Sequence, residues 1–391
     1  MDKRQLALKI FEAGVAAADP AVAVARHLDK VDPPTLILAV GKAACAMAGP
    51  AVTRFAGVPA LAVTNYENAR PLDGAEVLAA GHPVPDENGL AAGARVLAAL
   101  RAATGPVLVL MSGGGSALLP APVDGVSLAD KQAVNAALLG AGLDIRAMNL
   151  VRQQLSQLKG GGMLRASGGP VTALILSDVV GDDLSVIASG PTVGPIGTAA
   201  EAVTVLRGAG IWNGLPASVR AHSEAGHAAT ALPEARNVLV GSNALSVAAM
   251  ARAAGECRVL EPVEGDVADA ARAICDQAEP GVTVWGGETT VVLKGTGKGG
   301  RNQELALRIA QEARARGWAD WVCLQGGSDG RDGPTDAAGG LVDQGTLGRI
   351  ADAAGLLANN DSYAALQEAG DLLMTGATGT NVADLGVLIR G

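Results

Sequence analysis

The chain has 391 residues, of which 49% are hydrophobic and only 2% aromatic, and it carries a formal net charge of -9. This acidic balance argues against a nucleic-acid or anionic-membrane partner, because both require broad basic surfaces. The length exceeds what one hydrophobic core usually supports, so two domains are predicted.

Several features of the sequence are those of a soluble cytoplasmic protein. No apolar run approaches the ~18 residues that a membrane-spanning helix needs, and no apolar signal core follows the amphipathic first residues. The cysteines are scattered without a C-x-x-C pair, which is typical of free thiols in a reducing compartment. The oligomeric state stays open between a monomer and a homodimer.

Apolar runs of strand length recur along the chain, and most are continuous rather than alternating, as in strands buried on both faces of a parallel sheet. The predicted strands are Thr35–Val40, Ala60–Thr64, Glu76–Ala80, Pro106–Met111, Val171–Leu176, Asn237–Val240, Val282–Trp285, Thr289–Leu293 and Trp321–Leu324. Alanine-rich segments predict helices between many of them, among them Asn88–Arg101, Leu128–Gly140 and Asn243–Ala254. This alternation predicts α/β layers, with ligands bound beyond the carboxyl ends of the strands.

A domain boundary is predicted in the polar segment Ala221–Ala235, which contains both glycine and proline. We therefore expect an N-terminal domain over residues 1–228 and a C-terminal domain over residues 229–391.

The first predicted strand leads into the sequence A-V-G-K-A-A, with Gly41 at the turn and Lys42 at the start of a helix. This is a degenerate form of the dinucleotide-binding G-x-G-x-x-G, in which Ala43 takes the place of the second glycine. Lys42 at this point can instead contact a phosphoryl group. The alternative is a solvated lysine at a helix start.

A glycine-rich loop follows the strand Pro106–Met111 and consists of Ser112, Gly113, Gly114, Gly115 and Ser116. Successive backbone N–H groups in such a loop can form an anion-binding nest, assisted by the two hydroxyls. The loop matches neither the P-loop motif nor the G-x-S-x-G nucleophile elbow. It predicts a phosphate site, and the alternative is a tight structural turn.

Two cations, Arg152 and Lys159, are seven residues apart and share one helix face with Ser156 between them. Two cations and a hydroxyl on one face can hold a substrate carboxylate. A solvent-exposed face is the alternative.

Acidic residues follow two of the predicted strands. The first group comes after Val171–Leu176 and comprises Asp178, Asp182 and Asp183. The second comes after Trp321–Leu324 and comprises Asp329, Asp332 and Asp336. The first group suits a hard cation or a base that accepts a hydroxyl proton. The second suits Mg²⁺ or a ribose, although it does not meet the EF-hand pattern. Helix caps and solvated loop acids are the alternatives.

The stretch Trp285–Glu304 combines Glu288, two lysines and Arg301 with six glycines. Helical spacing of apolar residues begins behind it, so a helix is predicted to start near Asn302 as its N-cap. A glycine-rich loop before a helix, with cations beside it, favours bound phosphate. Together with the other strand-end residues, it provides what phosphoryl transfer requires: cations, carboxylates for a metal, and N–H groups for phosphates.

Ten motifs occur in one order along nearly the whole chain: V-G-K-A-A, G-H-P-V-P-D-E, S-G-G-G-S-A-L-L, V-R-Q-Q-L-S-Q-L-K-G-G, S-D-V-V-G-D-D, S-G-P-T, G-G-E-T-T-V, G-K-G-G-R-N-Q-E, D-G-x-D-G-P-T-D-A-A-G and T-G-x-T-G-T-N-V. This series resembles the glycerate 2-kinase family, whose C-terminal module is called MOFRL and whose older name is hydroxypyruvate reductase. One departure is Ala377, where a proline is expected in relatives, and it removes no functional group.

The resemblance implies an α/β fold of two α/β domains around a deep cleft, a Rossmann-like N-terminal domain with a largely parallel sheet and a C-terminal MOFRL domain. It implies Mg²⁺-dependent transfer of the ATP γ-phosphoryl group to the 2-hydroxyl of D-glycerate. The implied catalytic residues are Lys42, Asp178 and Arg301.

The remaining assignments combine this resemblance with the residue patterns. The residues assigned to the nucleotide are Ser112, Gly113, Gly114, Gly115, Ser116, Gly300 and Asp329. D-glycerate is assigned to Arg152, Lys159 and Asn302, and Mg²⁺ to Asp178, Glu288 and Asp329.

Three other functions stay open at this point. An NAD(P)H-dependent hydroxypyruvate reductase would use the turn at Gly41, with Glu67 as the ribose acid. The enzyme could phosphorylate another small hydroxy acid. A non-catalytic anion-binding protein is the third, although carboxylates beside cations give an anion receptor no benefit.

Overall fold

The structure, a computed structural model, describes residues 2–226 and 231–391. The chain divides into two compact units. The larger unit comprises Pro20–Ser177 and Asp182–Val240, and the smaller unit comprises Met1–Asp19, Asp178–Gly181 and Gly241–Gly391. The predicted boundary between residues 228 and 229 lies outside the described residues, so the predicted domain limits stay a prediction.

The strands are β1 (Leu36–Val40), β2 (Ala60–Asn65), β3 (Glu76–Ala80), β4 (Val107–Met111), β5 (Val171–Leu176), β6 (Ala235–Gly241), β7 (Arg258–Val259), β8 (Val263–Asp266), β9 (Gly281–Thr290), β10 (Trp321–Gly327), β11 (Gly339–Asp343), β12 (Leu372–Leu373) and β13 (Asp384–Arg390). The helices are α1 (Lys3–Ala17), α2 (Pro20–Ala25), α3 (Ala44–Arg54), α4 (Glu87–Ala102), α5 (Gly115–Leu118), α6 (Leu128–Gly140), α7 (Ile145–Gln154), α8 (Gly162–Ala166), α9 (Ala199–Gly208), α10 (Ala217–Ala225), α11 (Asn243–Ala254), α12 (Val267–Gln277), α13 (Arg301–Ala315), α14 (Ala353–Ala358) and α15 (Ser362–Ala369). Short 3₁₀ turns cover Leu28–Lys30, Tyr66–Asn68, Ile187–Ser189, Trp212–Gly214 and Thr346–Gly348.

The sheet of the larger unit has the strand order β3-β2-β1-β4-β5-β6, and the pairs from β3 to β5 are parallel. Every residue of β1 and β4 is buried, because helices cover both faces, and this confirms the parallel sheet predicted from continuous apolar runs. The order reverses direction between β1 and β4. In sheets of this kind, ligands bind beyond the carboxyl ends of the strands at that reversal.

The helices of the larger unit begin where polar side chains satisfy their first N–H groups. Asp86 caps α4, and Ser127 and Asp130 form a capping box at the start of α6. Helices α6, α7, α9 and α10 bury a second apolar cluster, which includes Leu138, Leu206 and Val219. This cluster fixes the positions of α6, which carries Lys131, and of α7, which carries Arg152.

The sheet of the smaller unit is mixed, with the order β12-β11-β10-β13-β9-β7 and β8 paired to β9. Helices α12 and α13 pack on one face over a core that includes the fully buried Trp285. Helices α1 and α11 cover the other face, where Ile10 and Phe11 join residues of β10 and β13. Strands β10 and β13 are antiparallel yet buried on both faces, so their continuous apolar runs do not indicate parallel pairing here.

Two of the sequence-predicted strands are one. Strand β9 contains the run Val282–Trp285 and the first two residues of the run Thr289–Leu293, and it ends at Thr290. The partners of β9 change at Gly287: β13 and β7 pair with the strand up to this residue, and β8 pairs with it from Gly287 onward. Gly287 has φ +147, and a Cβ there would overlap with the backbone of Val263, so glycine allows the strand to continue. Leu293 is left 76% exposed.

Candidate functional site

The reversal point of the larger sheet is closed by contact between the loops that follow β1 and β4. Gly41 has φ +124, and a Cβ on it would overlap with the hydroxyl of Ser112. The backbone N–H of Lys42 donates to the carbonyl of Gly113 at 2.9 Å, and that of Ala43 donates to Ser112 Oγ at 3.1 Å. The two sequence-predicted loops are therefore joined, and Ser112 is buried as part of the joint.

The side chain of Lys42 lies beside the glycine loop. A Cβ added to Gly114 would approach Lys42 Cγ and His82 Cδ2, both at 3.2 Å, so these three residues are in van der Waals range. Partial burial and the charge of Lys42 lower the pKa of His82, while Glu67 opposes the shift. Glu67 accepts from Asn65 Nδ2 at 2.5 Å. At neutral pH this region holds a cation, an uncharged imidazole and a bare glycine backbone.

The far end of the glycine loop is anchored by Lys159. Its Nζ donates to the Ser116 carbonyl at 2.8 Å and to Ser116 Oγ at 2.9 Å, and the residue is 5% exposed. Ser116 Oγ also lies 2.9 Å from Ser189 Oγ, and Ser189 Oγ donates to Asn149 Oδ1 at 3.0 Å. Lys159 is therefore buried at the loop rather than exposed on a helix surface.

Arg152 lies in the same region of the larger unit as Lys159. Its Nη1 donates to Asn149 Oδ1 at 3.5 Å, and its Nη2 donates to Asn135 Oδ1. Arg152, Lys159 and Ser116 line a cavity of about 120 Å³. Because helix α7 ends at Gln154, Arg152 and Lys159 do not share one continuous helix, and a turn brings them together.

In the smaller unit, Arg301 is held by two carboxylates. Its Nε donates to Asp384 Oδ2 at 2.6 Å, its Nη2 donates to Asp384 Oδ1 at 3.0 Å, and its Nη1 lies 3.0 Å from Glu288 Oε1. Burial alone would lower the pKa of Arg301, but the hydrogen bonds to Asp384 and the charge of its carboxylate raise that pKa. This bidentate pair fixes the plane of the guanidinium.

Helix α13 begins at Arg301 with Gly300 as its N-cap, so the prediction of Asn302 as the N-cap is wrong. Asp332 satisfies the first turn instead, because its carboxylate accepts from the backbone N–H groups of Asn302 at 3.2 Å and Gln303 at 2.8 Å. A Cβ on Gly300 would overlap with this carboxylate. Burial raises the pKa of Asp332 to about 6, against the effect of these N–H donors.

Asn302 is 1% exposed and links the cap to the arginine pair. Its Nδ2 donates to Asp332 Oδ1 at 3.2 Å and to Asp384 Oδ1 at 2.9 Å, while its Oδ1 accepts from Gln325 at 2.6 Å. The polar atoms of Asn302 therefore bond within the protein, and the contact of Asn302 with the substrate stays a prediction.

A cavity of about 590 Å³ lies in front of this network, within the size range of small-molecule sites. Of the predicted residues, Gly300, Arg301 and Asp329 line it, together with Arg331 and Asp384. Val291, Leu293 and Pro334 supply an apolar wall. The cavity thus combines a charged floor with an apolar side, the combination that a nucleotide's phosphates and base require.

The carboxylates near Arg301 repel one another. Burial raises the pKa of Glu288, Arg301 opposes the shift, and the charges of Asp384 and Asp178 add to it. No group of three or more His, Cys, Asp or Glu side chains that could hold a metal ion occurs within residues 2–226 and 231–391. Mg²⁺ commonly takes only one or two carboxylates and completes its shell with phosphate oxygens and water, so Glu288 and Asp178 fit a nucleotide-bound Mg²⁺ rather than a protein cage.

Three of the other predicted acids have structural partners, whereas Asp182 Oδ1 is buried without a hydrogen-bond partner among the described residues. Asp183 accepts from the N–H of Ser185 and pairs with Arg146 at 3.1 Å, and Asp336 accepts from the hydroxyl of Tyr363 at 2.8 Å. Asp329 accepts from the N–H of Arg331 at 3.0 Å while lining the 590 Å³ cavity.

Sequence reasoning missed two residues of these networks. Asp384 is the first residue of β13, so an acid directly ahead of an apolar run was the available signal. Lys131 lines the 120 Å³ cavity beside Arg152 and Lys159. Lys131 lies in the first turn of α6, and no motif surrounds it, so the sequence alone does not predict that Lys131 lines this cavity.

Within the described residues, no helix is both long and apolar enough to span a bilayer. Residues 6–224 match the family described as Domain of unknown function (DUF4147), and residues 281–384 match the MOFRL family.

Full-length relatives are also found. A glycerate 2-kinase of Pyrococcus horikoshii is 36% identical over 100% of this chain and 98% of its own length. A putative hydroxypyruvate reductase of Agrobacterium vitis is 39% identical over 99% of this chain and 94% of its own. The crystal structure of a glycerate kinase from Thermotoga maritima superposes with a TM-score of 0.92 at 37% identity, covering 99% of both chains. The chain therefore belongs to the glycerate kinase family with a MOFRL module.

Proposed function

We propose that this protein transfers the γ-phosphoryl group of ATP to the 2-hydroxyl of D-glycerate, giving 2-phospho-D-glycerate and ADP. The observation that carries the proposal is the bidentate Arg301–Asp384 pair at the 590 Å³ cavity, because it presents a fixed guanidinium where a nucleotide fits. Guanidinium groups held in this way stabilise the charge that develops on a transferring phosphoryl group. The names of two relatives, glycerate 2-kinase and glycerate kinase, support glycerate as the acceptor.

The nucleotide is assigned to the smaller unit's cavity, with Gly300 and Asp329 beside it. The first N–H groups of α13 already donate to Asp332, so the positive charge for the phosphates comes from Arg301, which lines the cavity beside Gly299 and Gly300. The apolar wall at Val291 and Leu293 suits a base. In the larger unit, the loop Ser112–Ser116 would supply backbone N–H groups of its glycines for a phosphate beside Lys42, with the buried Ser112 hydroxyl holding the loop in place.

Glu288 and Asp178, with Asp329, are the residues that would hold Mg²⁺, which supplies neutralisation of the phosphate charge when bound. Asp178 also suits the task of orienting or deprotonating the 2-hydroxyl. Arg152 and Lys159 would hold the carboxylate of glycerate at the 120 Å³ cavity. Lys42 and Arg301 contribute positive charge to the transition state.

The reductase activity named for the Agrobacterium vitis relative is disfavoured by one observation. In a dinucleotide fold, backbone N–H groups at the β1–helix turn face the pyrophosphate. Here the N–H groups of Lys42, Ala43 and Ala44 donate to Gly113, Ser112 and Gly41, so the turn is already filled by the chain itself.

One experiment separates the functions. The protein is incubated with D-glycerate, ATP and Mg²⁺ while ADP is measured, and in parallel with hydroxypyruvate while NADH absorbance is followed. We expect ADP only when glycerate is present, a 2-phosphoglycerate product identified by a coupled enolase assay, and no NADH loss. NADH oxidation without ADP formation would replace the kinase by the reductase.

A further inference from the structure

The 120 Å³ cavity of the larger unit is lined by an unusual set of charges. Its charged lining residues are Lys131 on α6, Arg152 on α7 and Lys159 on the following turn, and no carboxylate lines it in the part of the chain that the structure describes. Desolvated like charges repel one another, so such a set is unfavourable unless a ligand supplies the opposite charge. We call these three residues the cationic triad.

Each member of the cationic triad is held in place by neutral oxygen acceptors. Lys131 Nζ donates to the Leu155 carbonyl at 2.9 Å, and Lys159 Nζ donates to the carbonyl and hydroxyl oxygens of Ser116. Arg152 donates to two asparagine side chains. A lysine has three N–H donors, so Lys131 keeps two and Lys159 keeps one after these contacts. The remaining donors belong to side chains whose positions are already fixed.

The rest of the lining limits what can enter. Pro83, Pro85 and Pro120 with Val134 and Leu155 form rigid apolar walls. The volume of about 120 Å³ is below the range of drug-sized ligand sites, so a nucleotide does not fit, whereas a three-carbon acid does. Asn135 and the Ser116 hydroxyl are polar groups for a short hydroxylated chain.

We propose that Lys131 is a third substrate-binding cation, and that the cationic triad receives the carboxylate of the three-carbon acceptor acid and selects for its short length. This inference rests on the proposed function, which assigns only Arg152 and Lys159 to the carboxylate. With Lys131, the carboxylate gains a donor from a different helix, so α6 and α7 close on the acid from two sides.

A consequence is that substrate binding is coupled to proton uptake. Burial, with the charge of Arg152, lowers the pKa of Lys131 to about 8, and burial with both neighbouring cations lowers the pKa of Lys159 well below its usual value. A bound carboxylate favours the charged amines and so raises both pKa values. At pH near 8 the protein therefore takes up protons when the acid binds, and the part of this uptake that is due to Lys131 declines at lower pH, where Lys131 is already charged.

The test compares Lys131→Met with the wild-type protein by isothermal titration of D-glycerate without nucleotide, at pH 8 in two buffers of different ionisation enthalpy. Lys30→Met is the matched control, because Lys30 is an exposed lysine of the same unit. We expect Lys131→Met to weaken glycerate binding roughly tenfold to hundredfold, the usual effect of losing a charged hydrogen-bond donor. Proton uptake per bound glycerate should be smaller in Lys131→Met, and the control should match the wild type.

Thermal unfolding distinguishes a binding role from a structural one. Removing one of three repelling charges should leave the Tm of Lys131→Met unchanged or raised. Wild-type affinity with unchanged proton uptake would overturn the assignment, and so would a loss of binding that merely follows a lowered Tm. Lys131-dependent binding of inorganic phosphate that glycerate does not displace would also overturn it.

Failure of this inference is separable from failure of the proposed function. ADP formation by Lys131→Met with a wild-type KM for glycerate would remove Lys131 from the site and leave the kinase standing. Conversely, Lys131-dependent glycerate binding by a wild-type protein that forms no ADP would remove the kinase and leave the assignment of Lys131 standing.

Discussion

The two units treat positive charge in opposite ways. In the larger unit, Lys131, Arg152 and Lys159 surround a small cavity and bond only to carbonyl, hydroxyl and amide groups in the contacts described above. In the smaller unit, Arg301 bonds to Asp384 and Glu288. In these contacts, the cations of the larger unit have neutral partners, whereas Arg301 in the smaller unit has two carboxylates as partners.

This difference separates two uses of a cation. A cation without a protein counter-ion is arranged to bind an anion, since its burial is costly until the anion arrives. A cation clamped by carboxylates is arranged to keep one orientation, at the expense of free charge. We therefore expect the cationic triad to bind the acceptor acid, and Arg301 to orient the phosphoryl group during its transfer.

The largest expected effect tests the clamped cation. Arg301→Lys keeps the charge, but one ammonium cannot reproduce the bidentate contact with Asp384, so the orientation is lost. We expect kcat for ADP formation to fall about 10³-fold, as for other arginines in phosphoryl transfer.

Arg308→Lys is the control for this change, because Arg308 lies on the same helix and pairs with Glu304 at 2.7 Å. It should keep near-normal turnover. If Arg301→Lys were as active as Arg308→Lys, orientation would not be the role of the clamp.

Substitution of Lys42 tests whether the lysine beside the glycine loop also stabilises the charge on the transferring phosphoryl group. Lys42→Met should lower kcat about 10²-fold, because one charge-stabilising donor is removed, with little change in Tm. Steady-state ADP kinetics should place the loss in kcat rather than in the KM for glycerate. A loss confined to KM would instead group Lys42 with the cationic triad.

The N-terminal cap of helix α13, next to Arg301, can be disrupted by a substitution that removes no charged group. Gly300→Ala places a methyl group on the Asp332 carboxylate and so displaces the cap of α13. We expect a loss of about 1–2 kcal/mol in unfolding free energy, measured by denaturant titration, and reduced turnover. Gly348→Ala is the control, since nothing lies within 4 Å of its Cβ position. Equal stability of the two variants would show that α13 does not depend on Asp332.

The smallest effect is a change in pH dependence. The pKa of Asp332 is raised from 3.8 to about 6 in the folded protein. The folded state therefore binds more protons than the unfolded state between these values, so stability contributed by the neutral acid is lost as pH rises from about 4 to about 6. Asp332→Asn should flatten this part of the stability curve, measured by thermal unfolding at several pH values. An unchanged slope would assign the dependence to another group.

Much of the fold followed from local patterns. The continuous apolar runs at β1 to β5 predicted the parallel sheet, and the helix Leu128–Gly140 has the predicted bounds. Strand β9 was predicted as two runs because its change of partner at Gly287 depends on β8 and β13, which are distant in sequence. The mixed pairing of the smaller sheet could not be predicted for the same reason, since apolar runs report burial and not direction.

The candidate sites divide in a similar way. Lys42, Arg301 and the glycine loops stand next to predicted strands and helices, so their position could be predicted from the sequence. Lys131 and Asp384 could not, because each reaches its site through packing of elements far apart in the chain. The N-cap of α13 was assigned to Asn302 because a carboxylate thirty residues later, on Asp332, replaces the usual local cap.

Helix α1 gives the smaller unit a dependence on the order of synthesis. Its residues Ile10 and Phe11 are synthesised long before Leu385 and Val387 of β13, with which they share one apolar cluster. The smaller unit therefore cannot bury this face until β13 has been synthesised, and until then α1 must stay solvated or be shielded. A C-terminal fragment beginning at Gly241 would lack α1 and expose the same face, so we expect it to aggregate unless residues 2–19 are supplied as a separate peptide.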